Sequence, residues 1–85
     1  MDNWQRKMKK SSINIKLSKE EAIVLLEFLG RVNEKERLGL FEDQSEQRVL
    51  WNIECILEKN LSEPFSQDYH DIVKRAREQV RDKKD

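Results

Sequence analysis

The chain contains little cysteine, histidine, glycine or proline, and each shortage excludes a class of protein. Its 85 residues include one cysteine, one histidine, two glycines and one proline. A single cysteine excludes an intramolecular disulfide, and a structural zinc site typically needs four ligands. So few glycines and prolines disfavour a β-sandwich, which reverses direction every ~8–12 residues. Because the apolar residues form periodic clusters, the chain is not a disordered tail either.

Long apolar runs are also missing. Charged residues make up 40% of the sequence and apolar residues 36%, which is too much charge for a membrane span. The basic N-terminus, which begins Met1-Asp2-Asn3-Trp4, is followed by no apolar segment, so it does not have the pattern of a secretory signal. We therefore expect a small cytoplasmic protein with one domain and a modest core.

Charge is abundant, and it is unevenly distributed along the chain. The net charge is zero, with 17 basic and 17 acidic residues. Residues 1–17 carry a net charge of +4, residues 18–63 carry −5 and residues 64–85 carry +1. An acidic body is poorly suited to a phosphate backbone and better suited to a basic protein. The alternative is that scattered surface glutamates only keep the domain soluble.

The organisation predicted from these patterns is one helical domain over residues 12–82. A flexible polar tail over residues 1–11 precedes it, and a frayed C-terminus over residues 83–85 follows it. From Ser12 to Leu17, polar and apolar residues alternate as in a strand, but no second strand follows. We expect this segment to be an extended arm that either lies against the helices or pairs with a partner chain.

The first helix is predicted to begin after Ser18 and to end at about Asn33. Ser18 and Glu21 have the spacing of a capping box, in which each side chain accepts a hydrogen bond from the backbone N–H of the other residue. Apolar residues cover most of the circumference of this helix, so we expect it to be the central element. Gly30 is expected to cost about 1 kcal/mol relative to alanine and to permit a close helix crossing.

Two further helices are predicted, over about 44–60 and from Gln67 to about Asp82, with Asp43 and Ser66 as their N-caps. The third helix has a narrow apolar stripe, which suits a peripheral helix that covers one side of the other two. The apolar cluster that the second helix is expected to turn toward the core comprises Val49, Leu50, Ile53, Ile56 and Leu57. The sequence thus predicts an all-α, bundle-like domain of three helices with an extended N-terminal arm.

Cys55 and His70 are the candidates for a nucleophile and its base. They fall on different predicted helices, and no glycine-rich turn is present to expose a nucleophile. We expect Cys55 to be a small, partly buried hydrophobic residue and His70 to be solvated. The acidic residues lack the alternating pattern of a calcium loop. The sequence therefore predicts a protein that is not an enzyme and has no cofactor and no metal site.

Trp51 is the most informative single residue. With Gln47 placed at 0° and ~100° added per residue, the apolar cluster centres near 240°, whereas Trp51, Glu54 and Glu58 lie within about 40° of Gln47. Trp51 is therefore predicted on the face opposite the core, among carboxylates. A tryptophan in such a setting is a common anchor of protein interfaces. The alternative is that Trp51 packs under the loop at 35–42 or against the N-terminal arm.

Two stretches of the sequence resemble short bacterial proteins. One is LSKEEAIVLLEFL, from Leu17 to Leu29, and the other is DQSEQRVLWNIE, from Asp43 to Glu54, with a continuation to Phe65. These stretches look like the small helical immunity proteins that accompany contact-dependent growth-inhibition toxins. The resemblance covers roughly residues 13–82, nearly the whole predicted domain.

The resemblance implies a protein that binds one cognate toxin domain, often an RNA-cleaving nuclease, and occludes its basic active-site region. It implies a 1:1 complex and no nucleic-acid, membrane or small-molecule partner. With the acidic charge and Trp51, it leads us to predict a partner-binding surface made of Phe41, Glu42, Asp43, Gln47, Trp51, Glu54 and Glu58.

Two other functions stay open at this point. A small regulatory protein could bind nucleic acid through the basic N-terminus and the third helix, although acidic residues interleave with the basic ones in that helix and favour exposed i,i+4 pairs instead. An accessory subunit of a larger assembly could use the segment from Ser12 to Leu17 to complete the sheet of a partner.

Overall fold

The computed structural model describes residues 11–34 and 39–82, and these residues form a small all-α domain of three helices. Helix α1 spans Lys19–Glu34, α2 spans Gln44–Asn60 and α3 spans Tyr69–Val80. A 3-10 helix at Glu63–Phe65 joins α2 to α3. The described part of the chain contains no strand. The predicted fold class is therefore confirmed.

Three predicted segments fall wholly or partly outside the described residues. The polar tail was expected over residues 1–11, of which only Ser11 is described, and the frayed C-terminus over residues 83–85 lies outside entirely. Residues 35–38 of the loop between α1 and α2 also lie outside.

The start of α1 is fixed by the predicted capping box. The backbone N–H of Ser18 donates to Glu21 Oε1 at 2.8 Å, and the backbone N–H of Glu21 donates to Ser18 Oγ at 3.0 Å. These two bonds satisfy donors that the first helical turn leaves without intrahelical acceptors. The predicted start of α1 is thus confirmed.

The predicted start of α2 after Asp43 is also confirmed. Asp43 Oδ2 accepts the backbone N–H of Ser45 at 2.8 Å, as expected of an N-cap. The Glu46 carboxylate reaches back one residue beyond the N-cap and accepts the N–H of Glu42 at 3.0 Å.

The prediction for the third helix is wrong at both ends. Helix α3 begins at Tyr69 rather than at Gln67, and it ends at Val80 rather than at about Asp82. Ser66 Oγ accepts the N–H of Asp68 at 3.1 Å, so this hydroxyl stabilises the turn before the helix and not its first turn. The turn occupies residues 66–68, between the end of the 3-10 helix at Phe65 and the start of α3 at Tyr69.

Helix α1 is the central element, as its wide apolar surface predicts. Both α2 and α3 pack against it, whereas α2 and α3 make little contact with each other. The buried core contains more residues from α1 than from any other element and comprises Ala22, Ile23, Leu26, Leu29, Leu57, Leu61, Val73 and Ala76. The two outer helices therefore depend on α1 for most of their packing, and α3 covers α1 rather than both other helices.

The prediction of which α2 residues are buried is partly wrong. Leu57 is buried, but Val49 is 53% exposed and Ile56 is 58% exposed. Because α2 has only α1 to pack against, one helix width of apolar surface is covered and the rest faces outward. The helix is turned so that Leu50 and Ile53 lie against the core at its margin, and the outer edge of the apolar cluster stays open.

The segment before α1 does not lie against the helices. Residues 11–18 form neither helix nor strand, and all of them are exposed. Ile13 is 89% exposed and Ile15 is 77% exposed. Of the two arrangements expected for the arm, the structure excludes packing on its own helices.

Gly30 does not mark a close helix crossing. A Cβ added there would lie 3.9 Å from Glu54 Oε2, which is an ordinary van der Waals distance. Among the described helices, none combines the length and the apolar character needed to cross a membrane.

Candidate functional site

A groove runs along one side of the contact between α1 and α2. Its volume is about 520 Å³, and its lining includes Pro64 of the 3-10 helix and Tyr69 at the start of α3. Most of its other lining comes from one face of α1 and the facing edge of α2. We call it the acidic groove; it is lined by Leu26, Glu27, Gly30, Arg31, Asn33, Glu34, Trp51, Glu54, Glu58, Pro64 and Tyr69.

Negative charge predominates in the acidic groove. Four glutamates line it, against one basic residue, Arg31. The Arg31 guanidinium carbon lies 5.7 Å from the centroid of the Phe28 ring, so this cation also interacts with an aromatic ring outside the groove. Within the described residues, none of the four glutamates forms an ion pair, and the one ion pair found joins Lys19 Nζ to Glu63 Oε2 at 3.0 Å. The groove therefore presents carboxylates that a basic partner can reach.

Glu54 is held in place by the neighbouring helix. Asn33 Nδ2 donates to Glu54 Oε1 at 2.7 Å, across the contact between α1 and α2. Glu54 is half-buried, and its other carboxylate oxygen faces Gly30. A charged acceptor with a fixed orientation loses less side-chain entropy on binding than a free one. Glu54 thus contributes both to the helix contact and to the charge of the groove.

Trp51 lies in the same groove as the carboxylates of α2. It is 38% exposed, and it follows Gln47 by one helical turn and precedes Glu54 and Glu58 on the same edge of the helix. Gln47 is half-buried and is not part of the groove lining. The structure thus brings Trp51, Glu54 and Glu58 together on one surface.

Tyr69, at the start of α3, contributes its side chain to the lining of the groove. Burial raises the pKa of Tyr69 to about 12, and the hydrogen bond to Glu27 and the negative charge of that carboxylate act in the same direction. The phenol therefore stays protonated in the physiological range.

The remaining residues of the predicted surface lie elsewhere. Phe41 is half-buried and lines a second groove of about 500 Å³, which we call the apolar groove; its lining is Phe28, Val32, Leu40, Phe41, Glu46, Val49 and Leu50. Glu42 and Asp43 are exposed at the start of α2, where they take part in capping. Hydrogen bonds from Ser45 lower the pKa of Asp43 below its ordinary value. The seven predicted residues therefore do not form one continuous site.

Sequence reasoning missed the contribution of α1 and α3 to the acidic groove. Glu27, Arg31 and Glu34 follow each other at spacings of four and three residues, which places them on one face of a helix. The sequence alone could therefore have predicted that these three charged residues share one face of α1. The approach of Tyr69 and Asn33 to this face depends on how the helices pack, and no spacing along the chain indicates it.

Cys55 and His70 are not brought together into a reactive pair. Both side chains are exposed, Cys55 on α2 and His70 in the first turn of α3. The expectation that Cys55 is partly buried is wrong, because the edge of α2 that carries it faces away from α1. Within residues 11–34 and 39–82, no group of three or more potential metal-ligating side chains is suited to hold an ion.

Comparison with known proteins places the chain in no group. No family model matches it, and neither the curated proteins nor the solved structures contain a significant match.

Proposed function

We propose that the chain is a non-enzymatic immunity protein that binds a bacterial RNA-cleaving toxin and covers its basic active-site region with the acidic groove. The observation that carries this proposal is the combination of four carboxylates without ion-pair partners among the described residues and a half-open tryptophan in one groove. The resemblance of the sequence to small helical immunity proteins supplies the class of partner. Such a protein needs no cofactor, metal or small-molecule substrate.

Charge supports the choice of a basic partner. A nuclease that cleaves RNA must bind a polyanion, so its active site carries basic side chains. Carboxylates of the groove can occupy positions that phosphates of the substrate would take. Glu34 and Glu58 are exposed and act at long range during encounter, whereas Glu54 is held by Asn33 and can form a close, oriented contact.

Trp51 supports a stable complex rather than a transient electrostatic one. Affinity in protein interfaces is concentrated in a few aromatic and arginine anchors that become fully desolvated. Trp51 is already partly enclosed by the groove, so little conformational freedom is lost when a partner covers its remaining surface. Steering by charge and anchoring by Trp51 would act on the association and dissociation rates respectively.

The first experiment is capture of partners from the source bacterium with the tagged full chain, at moderate salt and after nuclease treatment, with identification by mass spectrometry. We expect one basic protein with a nuclease domain, at near 1:1 stoichiometry. Purified partner should then lose its RNA-cleaving activity when the chain is added. The test variant has Glu27, Glu34 and Glu58 replaced by glutamine, which keeps the size of the side chains and removes three charges of the groove, so we expect it to bind the partner more weakly.

Two results would contradict the proposal. One is binding of the partner by the triple glutamine variant with unchanged affinity. The other is recovery of nucleic acid instead of protein, with a gel shift that weakens steeply as salt is raised, which would favour the regulatory alternative. The exposed basic residues Lys74, Arg75 and Arg77 on α3 would then be the first to replace.

A further inference from the structure

The apolar groove is an open, almost entirely apolar surface of the described domain. Its lining is apolar except for Glu46, and two of its larger side chains stay open, Leu40 at 50% and Phe28 at 49% exposure. It lies on a different face of the helices from the acidic groove. On α1, Phe28 and Val32 line the apolar groove, whereas Glu27 and Glu34 line the acidic groove. An open apolar surface of this kind marks an interaction site.

The arm before α1 carries exposed apolar side chains that need a partner surface. Ile13, Ile15 and Leu17 alternate with polar residues, so in an extended segment their side chains project to the same side and span about 13 Å. None of the three is buried by the described residues. One chain therefore carries both an apolar edge and an apolar groove, and the residues that the structure describes leave both of them open.

Charge favours the same pairing. The segment of residues 12–17 contains one charged residue, the basic Lys16. At the groove, Glu46 lines one side, and the exposed carboxylates of Glu42 and Asp43 follow Phe41 directly. An arm that entered the groove would bring Lys16 to this acidic rim.

The arm cannot fill the groove of its own chain. Leu17 directly precedes the N-cap residue Ser18, whereas Phe28 lies about 15 Å further along the α1 axis. Wherever the arm turned, Leu17 would stay at the opposite end of the helix, and only Ile13 would come near the groove. A second copy is free of this restriction and can present all three side chains.

We propose that residues 12–17 of one copy occupy the apolar groove of a second copy, and that the chain forms a dimer by reciprocal exchange of arms. A two-fold axis makes the two contacts identical, so each copy gives one arm and receives one. The acidic grooves lie on other faces of the helices and stay open in this dimer, so the dimer does not depend on the function proposed above.

The test measures the assembly state of the full chain by sedimentation velocity over a range of concentrations, with reductant present because Cys55 is exposed. We compare the wild type with an arm variant, Ile13→Ser with Ile15→Ser, and a groove variant, Leu40→Gln with Val49→Gln. Each of the four replaced side chains is at least 50% exposed, so the fold should be retained. Circular dichroism checks this. Ile56→Ser is the matched control, because Ile56 is exposed but lies outside the groove lining.

We expect a dimer for the wild type and for the control, and a rise of roughly tenfold or more in the dissociation constant for each double variant, because each removes apolar burial at both contacts. Mixing the arm variant with the groove variant should restore association in part, since the mixed dimer contains one intact arm and one intact groove facing each other.

Several results would overturn the proposal. If the wild type stays monomeric at the highest concentration at which it is soluble, the proposal is wrong, and the groove is covered in some other way, by another protein or by the chain's own arm. A dimer that both double variants leave unchanged would show a different interface. Equal weakening by Ile56→Ser would show non-specific association through exposed apolar residues.

Discussion

Asn33 on α1 and Glu54 on α2 are joined by a hydrogen bond of 2.7 Å between side chains 21 residues apart in the sequence. This bond has two consequences. It connects α2 to the helix on which its packing depends, because α2 and α3 make little contact with each other. It also fixes one of the four carboxylates of the acidic groove. Stability and the candidate binding surface are therefore coupled at this pair.

Replacing Asn33 with alanine tests this coupling. We expect the free energy of unfolding to fall by about 1–2 kcal/mol, since the half-buried Glu54 carboxylate loses a charge-assisted hydrogen bond. Urea unfolding followed by circular dichroism measures the change. Asn52→Ala is the matched control, because Asn52 is exposed on α2, and its effect should stay within about 0.5 kcal/mol. Equal effects of the two substitutions would show that the Asn33–Glu54 bond contributes nothing specific.

The same pair shows where prediction from the sequence succeeds and where it ends. The starts of α1 and α2 were predictable because capping is local: Ser18 and Glu21 need only each other to bond. The position of α1 at the centre followed from its wide apolar surface. These features depend on residues close together in the chain.

The rotation of α2 could not be predicted in that way. A helical projection centres its apolar cluster near Ile53, but the structure turns Leu57 inward, leaves Val49 and Ile56 open and brings Glu54 against α1. Which edge of an apolar cluster is buried depends on how many helices pack around it, and here only one does. The acidic groove was accordingly predicted only from its α2 side.

Gly30 offers a test of stability that leaves the core untouched. We expect Gly30→Ala to raise the free energy of unfolding by about 0.5–1 kcal/mol, because alanine loses less backbone entropy within a helix. The space for the added methyl group exists, with the nearest atom, Glu54 Oε2, at 3.9 Å. Gly39→Ala is the contrasting control: Gly39 has φ +86°, where a side chain is strained, so this substitution should destabilise. A loss of stability in Gly30→Ala would show that the helix contact at Glu54 needs glycine.

Trp51→Ala tests the anchor of the proposed complex. We expect binding of the toxin domain to weaken by at least ~2 kcal/mol, in the range of interface hot spots, with the helix content unchanged. Isothermal titration calorimetry measures the affinity and circular dichroism the helix content. Phe65→Ala is the control, because Phe65 is an aromatic residue that is 84% exposed and lies outside the acidic groove. A Trp51→Ala chain that binds with wild-type affinity would remove Trp51 from the site.

Charge reversal at Glu34 and Glu58 tests steering. Both are exposed and line the groove, and neither takes part in the Asn33–Glu54 bond, so their replacement with lysine should leave the fold intact. We expect slower association with the toxin domain and a weaker dependence of that rate on salt, with a smaller change in dissociation. Stopped-flow measurements at several ionic strengths give these rates. Asp71→Lys with Glu78→Lys makes the same change of charge on exposed positions of α3, and an equal effect there would indicate net charge rather than the groove.

Tyr69 lines the acidic groove and can be followed by titration, because it is the one tyrosine of the chain. Its pKa in the folded protein is raised to about 12, with burial as the main cause and Glu27 as the second. The unfolded chain should titrate near the ordinary value of about 10. Since the folded state favours the protonated phenol, the contribution of Tyr69 to the free energy of unfolding is complete below about pH 10 and is lost as the pH rises toward 12.

Absorbance of the phenolate should therefore appear at higher pH in the folded chain than in urea. Glu27→Gln should lower the midpoint of the titration of Tyr69 in the folded chain only part of the way toward the unfolded value. A midpoint that falls to the unfolded value in Glu27→Gln would make the carboxylate, not burial, the dominant cause.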